Sequence, residues 1–138
     1  MVIVYDDFRR YGATRRTGMR GVEDRDTRSL KATLDICLLA LIEEEDRYGY
    51  EMIGILREEN FPLVNERSVY PLLGRLEVDG LIEGYLRPSV DGPARKYYRM
   101  LPEGSRALRA WALRSFETYE VARRIVTERV DLERQLPA

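Results

Sequence analysis

The spacing of apolar residues changes from helical to extended at Gly80 and returns to helical after Pro102, and few folds accommodate that order in 138 residues. Leu30, Leu34, Cys37, Leu38, Leu41 and Ile42 recur at steps of three and four, which predicts a first helix with one buried face. A second, short helix follows Tyr48-Gly49, with Tyr50, Ile53 and Leu56 expected inward and Arg57, Glu58 and Glu59 outward; Pro62 ends it. The third is expected over roughly residues 66–79, with Val69, Leu72, Leu73 and Leu76 as its buried stripe and Gly80 just past its end. Its exposed side then carries Arg67, Tyr70, Pro71, Gly74 and Val78, with Ser68 and Arg75 at the flank. Pro71 fits the first turn if Ser68 caps the helix. If Asn65 caps it instead, the proline falls in the interior and a kink is expected.

Past Gly80 the alternation reads as a hairpin: one strand over 82–86, a turn signalled by Asp91-Gly92-Pro93, and a second strand over 94–100. In the second strand Tyr98 and Met100 share one face while Arg95, Tyr97 and Arg99 share the other. Lys96 sits toward the tip, where its side chain is expected to reach freely. Pro102 opens a long helix to about Arg134, whose apolar stripe runs through Leu108, Ala112, Phe116, Tyr119, Ala122, Val126 and Val130. A domain this small does not cover so long a stripe, so a partner helix is expected, with Trp111 beside the stripe in the same interface. Residues 1–28 mix Arg, Gly and Asp without sustained periodicity and read as a flexible arm, in which Val2-Ile3-Val4-Tyr5 has the makings of an edge strand.

Composition removes most other readings. The chain contains no histidine and one cysteine, Cys37, so Ser-His-Asp and Cys-His nucleophiles and Cys/His metal sites are excluded. No cofactor or metal is expected, and an enzyme is not. Cys37 lies in the apolar run 36–42, where a small buried thiol in a reducing cytoplasm is the simplest reading. No apolar run is long enough to span a bilayer and no signal-peptide pattern opens the chain, so a cytoplasmic protein away from membranes is expected. The formal net charge of -1 argues at first against nucleic acid, yet the charges are segregated. Acids gather at Glu43-Glu44-Glu45-Asp46 and at Glu58-Glu59, whereas Arg95, Lys96 and Arg99 lie within five residues that contain no acid.

Three helices followed by a two-stranded hairpin and a long helix is a mainly α, α+β architecture: a winged helix-turn-helix over 29–101 and a dimerisation helix over 102–138. Such a unit suits double-stranded DNA, because an α-helix fits the major groove and presents its N-terminal residues to base edges. Asn65, Arg67, Ser68, Tyr70, Pro71 and Arg75 are then the candidate contacts on the inserted helix, and Arg95, Lys96 and Tyr97 those on the wing. Arg67 suits guanine or phosphate, Ser68 and the helix N-terminus a phosphate oxygen.

Ser68-Val69-Tyr70-Pro71-Leu72-Leu73-Gly74-Arg75-Leu76-Glu77, then Gly80-Leu81-Ile82, then Arg95-Lys96-Tyr97-Tyr98, resemble the signature of the PadR family of bacterial regulators at its spacing, and Tyr48-Gly49-Tyr50-Glu51 resembles the start of its second helix. The resemblance covers roughly residues 30–125. It implies a homodimeric transcriptional regulator, usually a repressor, which binds an operator, here an inverted repeat, and leaves it on a small-molecule or stress signal. It also implies a C-terminal helix that builds the dimer, with effectors at the interface in some members. Two residues depart from the pattern. Gly74 stands where relatives carry a base, and Leu101 where a threonine caps the last helix, which costs about 1 kcal/mol without compensation. The competing reading is a winged-helix interaction module that no longer binds DNA and uses its acidic surface, which the net charge and Gly74 favour.

Overall fold

The computed structural model describes the backbone of residues 20–135 and the side chains from residue 32 onward. Among the described residues four helices and three strands follow one another: α1 (Arg20–Glu44), β1 (Arg47–Tyr48), α2 (Gly49–Glu58), α3 (Glu66–Val78), β2 (Ile82–Ser89), β3 (Gly92–Met100) and α4 (Pro102–Thr127). The helix α1 begins at Arg20, inside the segment that reads as an arm, and Val2-Ile3-Val4-Tyr5 lie outside the described residues. The helix α4 stops at Thr127, seven residues before the expected end at Arg134, so Val130 lies beyond it. No helix among the described residues is long and apolar enough to cross a membrane.

Burial follows the periodicity in outline: Cys37, Leu41 and Leu72 are only half-buried, Ile36 and Leu39, outside the expected stripe, are buried, and the side chain of Leu30 lies outside the described residues. Leu34, Leu38, Leu39 and Ile42 of α1, Met52, Ile53 and Leu56 of α2, Val69, Leu73 and Leu76 of α3, Ile82 and Tyr98 of the sheet and Leu108 of α4 form one core. Tyr50 departs from expectation: it is 59% exposed and lies with its ring edge against Tyr70 instead of pointing inward. Asp35 also enters the core with 7% exposure, and its Oδ1 accepts from the Ile36 amide at 2.7 Å.

The helix α3 ends as its sequence predicts. Gly80 takes φ +74°, the Gly80 amide donates to the Glu77 carbonyl, and the Leu81 amide donates to the Leu76 carbonyl, which satisfies two of the last carbonyls of the helix. The chain then runs directly into the hairpin. Strand β3 is the centre of an antiparallel sheet in the order β1-β3-β2, with Tyr48 and Tyr85 both opposite Tyr97. The hairpin is longer than expected: β2 continues through Arg87 to Ser89, with an irregularity at Pro88, and the turn is the pair Val90-Asp91. Leu101 indeed supplies no side-chain cap to α4. Instead Pro102 occupies the first turn, and the Leu101 amide donates to the Leu81 carbonyl at 3.1 Å, which anchors the last helix to the start of the sheet.

Candidate nucleic-acid interface

The start of α3 is built by Asn65. Its side-chain oxygen accepts from the Arg67 and Ser68 amides at 2.9 and 3.2 Å, and Ser68 Oγ accepts from the Asn65 amide at 3.0 Å in return. Asn65 is therefore the cap, and Ser68 closes the reciprocal half of the box. The Arg67 and Ser68 amides and the Ser68 hydroxyl, which by sequence suit a phosphate oxygen, are thus engaged within the turn. Pro71 consequently lies inside α3, where its missing N–H leaves the Arg67 carbonyl without the usual partner four residues on.

Beyond the cap, α3 presents a narrow outward stripe of Arg67, Pro71, Gly74 and Val78, all exposed. Arg67 makes no ion pair among the described residues. A Cβ built on Gly74 meets nothing within 4 Å, so no contact among the described residues requires that glycine. Arg75, at the flank, reaches Asp79 one turn on at 3.5 Å. Tyr70 is a packing residue: its ring lies where a Cβ on Gly49 would stand, 2.6 Å away, which brings α2 and α3 into close approach, and burial pushes its hydroxyl pKa up.

The wing divides its basic residues between two faces. Lys96 shares the face of Tyr98 and turns toward α3, where its Nζ donates to Glu77 Oε1 at 3.0 Å and lies 5.4 Å from the Tyr98 ring centre. The hydrogen bond to Glu77 holds the Lys96 ammonium above its ordinary pKa. Lys96 is thus tethered, contrary to the freedom expected from its place near the tip. Gly84 makes room for this pair, since a Cβ there would lie 2.3 Å from both Glu77 Oε2 and Lys96 Cε. Arg95 and Arg99 lie on the opposite face with Tyr97, as the alternation predicts. There Arg95 lies over the Tyr48 ring at 4.8 Å, and Tyr97 packs between Tyr48 and Tyr85 with ring centres 5.3 and 6.1 Å away. Arg87, assigned to the turn by its sequence, joins this face, with its guanidinium carbon 3.9 Å from the Tyr97 ring centre.

The acidic cluster at 43–46 is largely exposed but engaged in ion pairs and hydrogen bonds within the chain. Arg47, 8% exposed, donates to the Leu41 carbonyl at 3.0 Å and pairs with Glu44, Glu45 and Glu51 at 2.6, 3.1 and 2.7 Å. Glu43 pairs with Arg109 at 2.6 Å and accepts from Ser105, and Asp46 accepts from the Tyr85 hydroxyl at 2.5 Å. The carboxylates thereby tie the end of α1 to Arg47, to Ser105 and Arg109 of α4 and to Tyr85 of β2, which composition alone does not reveal. Cys37 is half-buried on α1, and desolvation, with the charge of Asp35, pushes its thiol up, away from reactivity.

The long helix separates into two parts. Leu108 belongs to the chain's own core at 8% exposure, which corrects its placement in an interface with a partner, and Trp111 and Ala112 are half-buried against that core. From Leu113 onward the helix stands clear. Phe116, Tyr119 and Val126 are exposed by 62, 70 and 41%, and Ala122 is exposed as well. Val121 and Ile125, outside the expected stripe, join Glu117, Thr118 and Ala122 along a shallow groove on one side of the helix.

Residues 38–110 match the model of a family described as the transcriptional regulator PadR-like family. The chain is 37% identical over 89 residues to an uncharacterized protein of Lysinibacillus sphaericus, covering 60% of this chain and 82% of that one. A PadR-like transcriptional regulator of Bacillus cereus superposes with a TM-score of 0.62 at 36% identity, over 70% of this chain and 93% of that one. Bacillus subtilis PadR in complex with operator DNA shares the fold, with a TM-score of 0.54 at 23% identity over 58% of this chain and 46% of that one.

Proposed function

The chain belongs to the PadR-like family of transcriptional regulators, and on that premise we propose that it binds double-stranded operator DNA as a homodimer and represses transcription. The observation that carries the reading is the outward stripe of α3. Arg67 stands there without an acid partner among the described residues, followed by small or flat exposed residues that let a helix enter a groove closely. The operator complex of Bacillus subtilis PadR supports the same use of the fold. The exposed apolar length of α4 supports a partner helix, since Phe116, Tyr119 and Val126 would gain burial against a second copy. Two copies joined along α4 would present paired α3 helices to an inverted repeat. A small-molecule effector would lodge between them near Trp111 and Phe116, where aromatic faces meet a symmetric seam. The cytoplasm is the compartment in which such a regulator meets its operator.

In this division Arg67 reads bases, Arg95 holds the backbone, and Asn65, Ser68 and Tyr70 shape the helix that does the reading. Arg75, Tyr97 and Lys96 reach DNA only by leaving or sharing their present partners. The engagement of Glu43 to Asp46 within the chain weighs against an acidic interaction module, the reading that net charge and Gly74 favour. Gel retardation on the chain's own upstream region, with sedimentation of the same samples, is the test. Arg95→Ala is expected to weaken binding to all sequences about equally and Arg67→Ala to change sequence preference. A folded dimer that gives no specific retardation at moderate salt, or a protein that stays monomeric, overturns the reading.

A further inference from the structure

The face of the sheet turned away from the core carries a continuous ladder of rings and guanidinium groups. Tyr97 is its centre, flanked by Tyr48 on β1 and Tyr85 on β2, with Arg87 over Tyr97 at 3.9 Å, Arg95 over Tyr48 at 4.8 Å and Arg99 over Tyr85 at 4.8 Å. Both acids on this face are committed: Glu83 pairs with Arg99 at 3.4 Å and Asp46 accepts from the Tyr85 hydroxyl. Arg87 and Arg95 have no carboxylate partner among the described residues, and they face each other directly in the β2–β3 register. Like charges in that position repel and destabilise a strand pair, and an anion bound across them turns repulsion into attraction.

We propose that this outer sheet face docks the sugar-phosphate backbone of DNA beyond the stretch read by α3, with Arg87 as a phosphate contact additional to the wing residue Arg95. The inference rests on the DNA-binding reading above. Stacking on a ring fixes each guanidinium plane before the ligand arrives and leaves its N–H edge for oxygen, so little side-chain freedom is lost on binding. Arg87 shows the arrangement: one Nη donates to the Tyr85 hydroxyl at 2.8 Å while the carbon lies over Tyr97. Tyrosine and arginine also suit a protein interface, so capture of an acidic protein is an outcome that the test separates. Two adjacent unpaired guanidinium groups and the absence of exposed aliphatic residues on this face among the described residues favour a phosphate backbone. The exposed apolar residues of the hairpin, Leu86 and Val90, lie on the other face and at the tip.

The test compares two duplexes from the chain's own upstream region, one cut to the inverted repeat and one longer by about ten base pairs, one helical turn, at each end. Binding of the full chain is followed by fluorescence anisotropy across salt. On the longer duplex Arg87→Ala is expected to flatten the salt dependence by about 0.9 in slope for each phosphate it leaves unneutralised, so that its deficit against the parent shrinks about threefold between roughly 50 and 200 mM salt. Arg87→Lys is expected to recover part of the slope, and on the short duplex the parent and Arg87→Ala should coincide. Equal slopes on the long duplex, with Arg67→Ala still impaired, overturn the proposal and leave the DNA-binding reading standing; capture of an acidic protein by this face with unchanged DNA slopes has the same force. An equal deficit on both duplexes overturns the flanking assignment. If the parent binds neither duplex, both readings fall.

Discussion

Arg47→Met removes a guanidinium that is 8% exposed and donates to one carbonyl and three carboxylates. The bond from Nε to the Leu41 carbonyl, at the end of α1, joins a charged donor to a partly buried acceptor and is worth about 1.5–3 kcal/mol. Glu44 and Glu45 are 71 and 64% exposed, so each pair adds at most about 1 kcal/mol after screening. Glu51, at 28% exposure, is held more firmly. Methionine retains most of the buried stem, so packing is nearly conserved and the expected destabilisation is about 2–4 kcal/mol. Urea unfolding followed by helical circular dichroism measures it, at matched protomer concentration because the proposed dimerisation would shift the midpoint. Arg47→Lys keeps the charge but not the fork and should fall between the two. A double-mutant cycle with Glu51→Gln should show coupling of at least about 0.5 kcal/mol. If Arg47→Met unfolds within about 0.5 kcal/mol of the parent, the guanidinium is not what joins α1 to α2 and the reasoning is refuted.

Two glycines should respond oppositely to alanine. Gly49→Ala drives a Cβ to 2.6 Å from the Tyr70 ring and is expected to cost about 1–3 kcal/mol in thermal or urea unfolding, whereas Gly74→Ala, with open space around it, should gain about 0.5–1 kcal/mol. Asp35→Asn is expected to stabilise at neutral pH. Burial raises the Asp35 pKa above its ordinary 3.8, so the folded state binds the proton more tightly than the unfolded one and stability falls as pH rises from about that value through the raised one. The advantage of the asparagine should therefore vanish below that window, and a gain that persists unchanged at low pH would count against a desolvated carboxylate.

Where the sequence is legible, one physical rule suffices. The buried stripes of α1 and α3, the Gly80 stop and the two faces of β3 all follow from periodicity, because burial on one side enforces it. Misreadings arise where a residue's partner is not fixed by spacing alone. Ser68 and Asn65 both suit a helix start, and only the closed bonding of the turn distinguishes the cap from its supporting residue. Arg87 follows Leu86 and precedes a proline, which reads as a turn, yet it continues the alternation Glu83, Tyr85, Arg87 opposite Arg99, Tyr97 and Arg95. That alternation is the available signal. Tyr50 is apolar enough for a core position but large enough to lie on the surface against another ring. Leu108 and Phe116 share a stripe by spacing, and only the extent of the domain decides that the first is internal and the second exposed.

The near-neutral charge of the chain becomes compatible with DNA once its acids are located. Glu43, Glu44, Glu45, Asp46 and Glu51 are drawn to the junction of α1, β1, α2 and α4 by Arg47, Arg109 and Tyr85, and Glu77 is drawn to Lys96 behind α3. These pairs neutralise acids where they serve the fold and leave Arg67, Arg87 and Arg95 unneutralised on the outer surfaces of α3 and the sheet. A phosphate backbone responds to the local field over about 8–10 Å at physiological salt, not to the formal sum. Segregation therefore matters more than net charge: Arg47 neutralises acids at the helix junction, while Arg67, Arg87 and Arg95 keep no carboxylate partner among the described residues.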